Sequence, residues 1–263
     1  MITTYHRPKT LDEALTLLTQ PNMLPLGGGT LLSRPQSGPV EVVDLQSLSL
    51  DSIKKIGNNL EIGATVTLQQ LLENEHCPDA LKFALKLEAP LNLRNAATVA
   101  GTLVSCDGRS TFTTVMLALD AKINIVTRES DVGNRNSSDS QIPTPDAQIV
   151  NIGEFLPLRP RGLITSITIP FNVKLAFDYV SRTPADKPIV CAALMQWHSG
   201  RTRLALGGYG KSPMLAMDGT EAEGLETAAR NAFHEGTDEW ASAEYRMDVA
   251  ATLAKRCLEE ISQ

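Results

Sequence analysis

The sequence has 263 residues, 42% of them hydrophobic and 21% charged, and a formal net charge of −6. The composition is that of an ordinary globular protein, and the acidic balance argues against a protein that coats nucleic-acid phosphates. No window approaches the roughly 18 to 20 consecutive apolar residues that a membrane-spanning helix needs. Residues 1–5 lack the pattern of a secretory signal. These features predict a cytoplasmic protein of two or three subdomains.

The four cysteines are far apart in the sequence, at Cys77, Cys106, Cys191 and Cys257. Iron–sulfur clusters need clustered thiolates, and structural zinc sites usually draw on paired ones. We therefore expect neither kind of centre in this chain and interpret the cysteines as unpaired residues of a reducing compartment.

Short helices and strands alternate through the first two thirds of the chain. Thr10 and Glu13 form a capping-box pattern at the start of an amphipathic helix predicted over 11–19. A short apolar strand then runs into three glycines, a threonine and a second, strand-like apolar run within 24–32. Further helices are predicted over 68–74, 79–87 and 111–119, and further strands over 40–45, 53–56, 60–64, 122–126 and 163–169.

The remaining segments predict one loop and one small α+β unit. Residues 128–148 are rich in Ser, Asn, Asp, Gly and Pro and are predicted to form a surface loop. Three antiparallel strands are predicted over 175–181, 189–198 and 201–207, followed by helices over 219–233 and 242–261.

The glycine run at 27–30 is the first candidate for ligand chemistry. Three residues without a Cβ let backbone amides approach a pyrophosphate closely, and Thr30 can add a hydroxyl donor. A tight turn packed against a neighbouring segment would explain the run equally well. The run is not a dinucleotide fingerprint of the Rossmann type, because Leu32 stands where that motif needs its last glycine.

A second candidate segment covers residues 95–102, directly after Arg94. Small residues and hydroxyls follow one another closely here, and such a run can surround a ligand with amide and threonine donors. A close-packed crossover loop is the alternative interpretation.

Other catalytic motifs are missing from the sequence. The run at 210–212 resembles the end of a phosphate-binding P-loop. However, Ala205 stands at the position where that motif requires its first glycine, and Pro213 follows the run directly. The four histidines are scattered, and neither an HExxH nor a GxSxG motif occurs.

Four stretches in one order resemble the FAD-binding subunit of molybdenum hydroxylases. The group includes the medium subunit of aerobic carbon monoxide dehydrogenase and the middle domain of xanthine dehydrogenase. The run at 5–14 resembles the family's RPxTxxEA pattern, and 26–30 its first flavin loop, often AGGTDL. The run at 93–103 resembles the second flavin loop, IRNxATIGGNL, and 242–246 matches SAEYR.

This resemblance implies an α+β protein with a two-subdomain PCMH-type FAD-binding fold and a small C-terminal α+β domain containing a three-stranded antiparallel sheet. The implied boundaries are 1–50, 51–172 and 173–263. The C-terminal domain would shield the isoalloxazine ring. The cofactor contacts would come from Leu26, Gly27, Gly28, Gly29, Thr30, Thr98, Gly101, Thr102 and Asp107.

The resemblance further implies an electron-transfer role without substrate hydroxylation in this chain. FAD would take electrons from [2Fe–2S] clusters of an iron–sulfur subunit and pass them to NAD, oxygen or a quinone. A large molybdopterin-binding subunit would complete the complex, with a dimer of heterotrimers as one arrangement.

Several positions depart from the family pattern. Leu31 replaces a frequent aspartate, Thr102 an asparagine or serine, and Thr111 a further acid. Tyr179 lies where the family carries a basic run, and an aromatic side chain there could pack near the flavin ring. Two alternatives therefore remain: a degenerate scaffold subunit without flavin, and a stand-alone PCMH-type flavin oxidase or dehydrogenase.

Overall fold

The computed structural model describes residues 2–35, 38–128 and 145–262, which form a mixed α/β protein with three sheets. The helices are α1 (Leu11–Leu18), α2 (Leu68–Glu73), α3 (Asp79–Glu88), α4 (Leu91–Arg94), α5 (Val99–Ser105), α6 (Thr111–Ala118), α7 (Ile152–Leu158), α8 (Leu225–Ala232) and α9 (Ala243–Ser262). The strands are β1 (Ile2–His6), β2 (Met23–Leu26), β3 (Val40–Asp44), β4 (Ile53–Ile56), β5 (Asn59–Gly63), β6 (Lys122–Thr127), β7 (Asp146–Asn151), β8 (Leu163–Pro170), β9 (Lys174–Val180), β10 (Val190–Gln196), β11 (Thr202–Gly207) and β12 (Met214–Gly219).

The first sheet has the parallel order β1-β3-β2. Helix α1 crosses it, and buried Ala14 and Leu15 share a small core with Leu45 and with Leu163 of β8. The Thr10 hydroxyl accepts a hydrogen bond from the Glu13 amide, as predicted. The Glu13 carboxylate, however, accepts from the amide of Lys9 instead of that of Thr10, so the predicted capping box is only half formed.

The second sheet has the antiparallel order β4-β5-β8-β6-β7. Its buried side chains join those of α2, α3, α5, α6 and α7 in the largest core of the protein. Helix α6 is buried along its whole length, which explains why its apolar pattern lacks a solvent face.

The third sheet has four antiparallel strands in the order β12-β11-β10-β9, so the predicted three-stranded sheet is wrong by one strand. The strand that was not predicted, β12, lies at the edge of the sheet and has partly exposed side chains. Its sequence therefore lacks a clear alternation of apolar and polar residues. The helix predicted from residue 219 begins only at Leu225, after Gly224 in a left-handed conformation.

Apart from the strand-like run that ends the segment 24–32, the helices and strands predicted between 11 and 169 lie within one residue of the observed bounds. Several further elements were not predicted. They include β1, the pair β7 and α7, and the short helices α4 and α5. Within the segment 128–148 predicted as a loop, residues 129–144 lie outside the described part, and β7 begins at Asp146.

The third sheet is buried on both faces. Phe177, Cys191 and Met195 belong to the large core on the side of α6, whereas Val190 and Leu194 face α8 and α9. In the described ranges, no helix combines the length and the apolar character needed to cross a membrane.

The sequence run SAEYR leads into the best-buried cation of the structure. Arg246 of α9 is fully buried and donates two hydrogen bonds to the Asp238 carboxylate, at 2.8 and 2.9 Å. It also donates to the carbonyls of Gly236 and Ala241. Burial would raise the pKa of Asp238, but bonds from Arg246 and two backbone amides outweigh it and lower that pKa. Arg246 also donates to the carbonyls of Ile189 and Gly208, which adjoin β10 and β11, and therefore anchors the loop before α9 to the sheet.

Candidate functional site

The glycine run at 27–30 forms a turn at the carboxyl end of β2. Gly29 has a φ of +70°, a conformation that favours glycine, and its carbonyl accepts a hydrogen bond of 2.9 Å from the amide of Ser33. The following apolar run, expected to be strand-like, is therefore a hydrogen-bonded turn. The amides of Gly28, Gly29 and Thr30 make no hydrogen bond with any described residue.

The second segment forms the start of helix α5 instead of an irregular loop. The Thr98 hydroxyl caps the helix by accepting a hydrogen bond of 3.2 Å from the Gly101 amide. The Thr102 hydroxyl donates to the Thr98 carbonyl at 2.8 Å. The amides of Val99 and Ala100 donate to carbonyls of the loop before α2. These backbone donors are therefore used within the protein. The Thr98 amide, like the amides of the glycine turn, makes no hydrogen bond with any described residue.

The two segments touch each other through their backbones. A Cβ added at Gly28 would lie 1.5 Å from the Ala96 carbonyl oxygen, and one added at Gly27 would lie 2.8 Å from the Thr98 hydroxyl. Real Cβ atoms essentially never come within 3.0 Å of such neighbours. Glycine at Gly27 and Gly28 is thus a condition for this contact, so the tightly packed turn of the alternative interpretation is confirmed. The turn also borders a cleft, and the binding of a pyrophosphate by its amides stays a prediction.

The cleft next to this contact has a volume of about 350 Å³, within the range of small-molecule sites. Its walls are mostly apolar and belong to β2, α5, α7 and the beginning of β8. The lining residues include Leu24, Pro25, Gly27, Gly28, Gly29, Thr30, Leu31, Leu45, Thr98, Gly101, Val104, Phe155, Arg159, Arg161 and Leu163.

Two arginines of the cleft were not predicted. Arg159 and Arg161 flank Pro160 in the short connection between α7 and β8. This RPRG run is visible in the sequence, but nothing in its spacing indicated that it faces the glycine turn. No carboxylate belongs to the lining residues of the described chain.

Three of the predicted cofactor residues do not line the cleft. Leu26 ends β2, and Thr102 packs inside α5. Asp107 lies where the chain contacts its C-terminal part. Its carboxylate accepts hydrogen bonds of 2.7 Å from the Lys187 ammonium and of 2.9 Å from the Arg109 amide. No residue of the described range 165–262 lines the cleft either, so the shielding of a flavin ring by the C-terminal domain stays a prediction.

Backbone hydrogen bonds close the contact around Asp107. The Gly108 amide donates to the Gly210 carbonyl at 3.0 Å, and the Gly208 amide donates to the Gly108 carbonyl at 2.6 Å. A Cβ at Gly108 would lie 1.9 Å from the Tyr209 carbonyl oxygen. The run at 210–212 thus serves in a contact between two parts of the protein.

Thr111 and Tyr179, the departures from the family pattern, have structural partners. The Thr111 hydroxyl donates to the Ala84 carbonyl at 2.8 Å. A carboxylate is nevertheless present, because Glu88 of α3 accepts from the Thr111 hydroxyl at 3.1 Å and from the Phe112 amide at 2.9 Å. Burial raises the pKa of Glu88 above its ordinary value. Tyr179 stacks in an aromatic group, 6.3 Å from the ring centre of Phe177.

The cleft fits a nucleotide cofactor in its donor set and its walls. Unbonded amides on a glycine turn are suited to phosphate oxygens, and arginine provides positive charge where the described lining residues include no carboxylate. Apolar side chains such as Leu24, Leu45 and Phe155 offer packing surface to ring systems.

Comparison with known proteins supports this interpretation. The family model described as "FAD binding domain in molybdopterin dehydrogenase" matches residues 1–172. The glyceraldehyde dehydrogenase medium chain of Sulfolobus acidocaldarius is 24% identical over 285 residues, covering 98% of each protein. The 6-hydroxypseudooxynicotine dehydrogenase complex subunit alpha of Paenarthrobacter nicotinovorans is 26% identical, over 94% of this chain and 86% of the relative.

Solved structures share the fold. A chain of reconstituted CO dehydrogenase from Oligotropha carboxidovorans superposes with a TM-score of 0.79 and 24% identity, covering 97% of this chain and 96% of the other. The relatives are oxidoreductase subunits, and FAD is the cofactor of the family. Because its family model matches residues 1–172 of 263, the chain belongs to the FAD-binding domains of molybdopterin dehydrogenases.

Proposed function

We propose that this chain is the electron-transfer flavoprotein of a molybdenum-containing hydroxylase or dehydrogenase. In this role it moves electrons between partner [2Fe–2S] clusters and an acceptor such as NAD, oxygen or a quinone. The single observation that carries the proposal is the cleft at the contact between Gly28 and Ala96, with unbonded amides and arginine on its walls.

In this proposal the turn at 27–30 holds the diphosphate of FAD. The amides of Gly28, Gly29 and Thr30 donate to phosphate oxygens, and the missing Cβ atoms let the backbone approach them. Thr98 and Gly101 keep α5 against the turn through the cap on that helix. Leu26, Gly27, Thr102 and Asp107 complete the proposed cofactor set. The first two join β2 to the turn, and the Thr102 hydroxyl holds the Thr98 carbonyl. FAD, when bound, supplies reversible redox chemistry, and the protein supplies its position and electrostatics.

Separate subunits supply the remaining centres in this proposal. The similar proteins are named as a medium chain and as a subunit of a complex, which supports a multi-subunit assembly. Burial raises the pKa of the Cys77, Cys191 and Cys257 thiols to about 12, which disfavours the thiolate form that binds metal ions. We therefore assign the [2Fe–2S] clusters and molybdopterin to an iron–sulfur subunit and a large subunit, with a dimer of heterotrimers as the proposed assembly. Four free cysteines suit a cytoplasmic location.

Affinity purification from the cells that produce the chain tests this assignment. We expect co-purification of two further polypeptides, one containing iron and acid-labile sulfide and the other molybdenum. Addition of the holoenzyme's substrate should bleach the flavin absorbance under anaerobic conditions. Purification of the chain alone, with substrate turnover by the isolated flavoprotein, would contradict the proposal in favour of a stand-alone enzyme. A complex without flavin absorbance, even after FAD is added, would identify a scaffold subunit.

A further inference from the structure

The cleft is positively charged in a protein whose net charge is −6. Among its lining residues in the described chain, only Arg159 and Arg161 are charged. The two arginines have different surroundings, and that difference separates a structural role from a binding role.

Arg159 is fully engaged within the protein. Its guanidinium donates to the carbonyls of Leu103 and Val104 at 2.7 and 2.6 Å, and its Nε donates to the Leu156 carbonyl at 2.9 Å. The first two carbonyls belong to the last turn of α5, where carbonyl groups lack partners within the helix. Arg159 therefore joins the end of α7 to the end of α5.

Arg161 makes no hydrogen bond or ion pair with any other described residue and is exposed. Its backbone, in contrast, is held on both sides. On one side, the ring of Pro160 restricts the φ of that residue. On the other side, Gly162 has a φ of +137°, and a Cβ added there would lie 2.4 Å from the Ile125 side chain. The structure thus fixes the position of this residue at the cleft without giving its guanidinium a counter-ion.

We propose that Arg161 provides the positive charge that binds the diphosphate of the cofactor, an inference that rests on the proposed function. The amides of the glycine turn are uncharged donors, so they leave most of the phosphate charge unbalanced. A guanidinium can donate two parallel hydrogen bonds to a phosphate, and such charge-assisted bonds are stronger than bonds between neutral groups. The lining residues that the structure describes include no carboxylate that would compete for it.

Titration of the full chain with FAD and with ADP tests this role. ADP carries the diphosphate but no flavin, so it separates phosphate recognition from flavin recognition. The variant Arg161→Gln removes the charge, and Arg161→Lys retains it without the paired donor geometry. Arg256→Gln on α9 is the matched control, because its side chain is 61% exposed and lies outside the cleft lining.

We expect Arg161→Gln to weaken FAD and ADP binding by about 10- to 100-fold, as for other hydrogen bonds to charged groups. Its dissociation constants should depend less on salt than those of the wild type, because one screened attraction is gone. Arg161→Lys should recover part of the affinity, and Arg256→Gln should match the wild type. Because Arg161 is exposed, calorimetry should give the same melting temperature for the Gln variant.

Two results would overturn the role of Arg161: FAD affinity of the Gln variant within about twofold of the wild type, or weakened affinity with unchanged salt dependence. The proposed function has its own outcome. A wild-type chain that binds ADP in an Arg161-dependent way, but not FAD, would refute the flavoprotein assignment and retain the phosphate site. Failure to bind either ligand would refute both.

Discussion

Replacing Gly28 by alanine tests the contact on which the cleft depends. The new Cβ would lie 1.5 Å from the Ala96 carbonyl oxygen and 2.5 Å from its carbon. Restoring the 3.0 Å lower limit therefore requires a separation of 3.0 − 1.5 = 1.5 Å between two backbones. Neither partner is a flexible side-chain end, so the turn and the segment before α5 must move apart.

The size of this displacement sets the expected losses of stability and of FAD affinity. Overpacking of this kind costs about 1–3 kcal/mol, which for a chain of this length lowers the melting temperature by roughly 2–12 °C. A shift of 1.5 Å also exceeds the tolerance of a hydrogen bond, so amides on the same turn would miss the phosphate oxygens. FAD affinity should fall at least about tenfold, equal to about 1.4 kcal/mol.

Calorimetric unfolding and FAD titration by flavin fluorescence measure the two effects. Gly38→Ala is the matched control in the same connection between β2 and β3, because its added Cβ would have no atom of another described part of the chain within 4 Å. The control should keep wild-type stability and affinity. If Gly28→Ala binds FAD within about twofold of the wild type, the turn does not hold the cofactor.

Three further substitutions, one of them with a matched control, test other parts of the structure. Arg246→Leu should cost about 3–5 kcal/mol in urea denaturation, because Asp238 loses its buried partner; a loss below about 1 kcal/mol would refute its anchoring role. Thr98→Val should cost about 0.5–2 kcal/mol by removing the cap on the Gly101 amide, and Thr252→Val, exposed on α9, should change stability by less than about 0.5 kcal/mol. Because burial raises the folded-state pKa of Glu88 above 4.5, the wild type should lose stability as the pH rises from that value towards the folded-state pKa, by at most about 1.4 kcal/mol per pH unit. Glu88→Gln keeps an acceptor oxygen and lacks this slope, so a pH-independent difference between the two proteins in chemical denaturation would contradict the assignment.

Local signals explain which parts of the site the sequence could predict. The three glycines and the capping threonines act on their own backbone, so residues such as Gly28 and Thr98 are recognisable without a fold. The contact between Gly28 and Ala96 joins segments far apart in the chain, and no periodicity records such a pairing. The family resemblance placed both segments at one cofactor, which implies that they lie near each other but does not specify this contact.

The missed elements have weak intrinsic preferences. Helix α5 contains Gly101 and the β-branched residues Val99 and Thr102, all poor helix formers. It forms because Thr98 caps it and because Val99 and Leu103 are buried in the large core. The edge strand β12 follows a Gly-, Ser- and Pro-containing turn, and Leu215 within it is 40% exposed. Tertiary contacts decide both elements, so sequence patterns alone did not predict them.

The burial of the third sheet on both faces affects how this chain can be shortened. A fragment ending at residue 172 would keep β4–β8 and α6 but lose Phe177, Cys191 and Met195, which cover part of their core. The newly wetted apolar surface would favour self-association. The family match at 1–172 therefore marks a segment of shared ancestry. Residues after 172 bury part of the apolar surface of that segment.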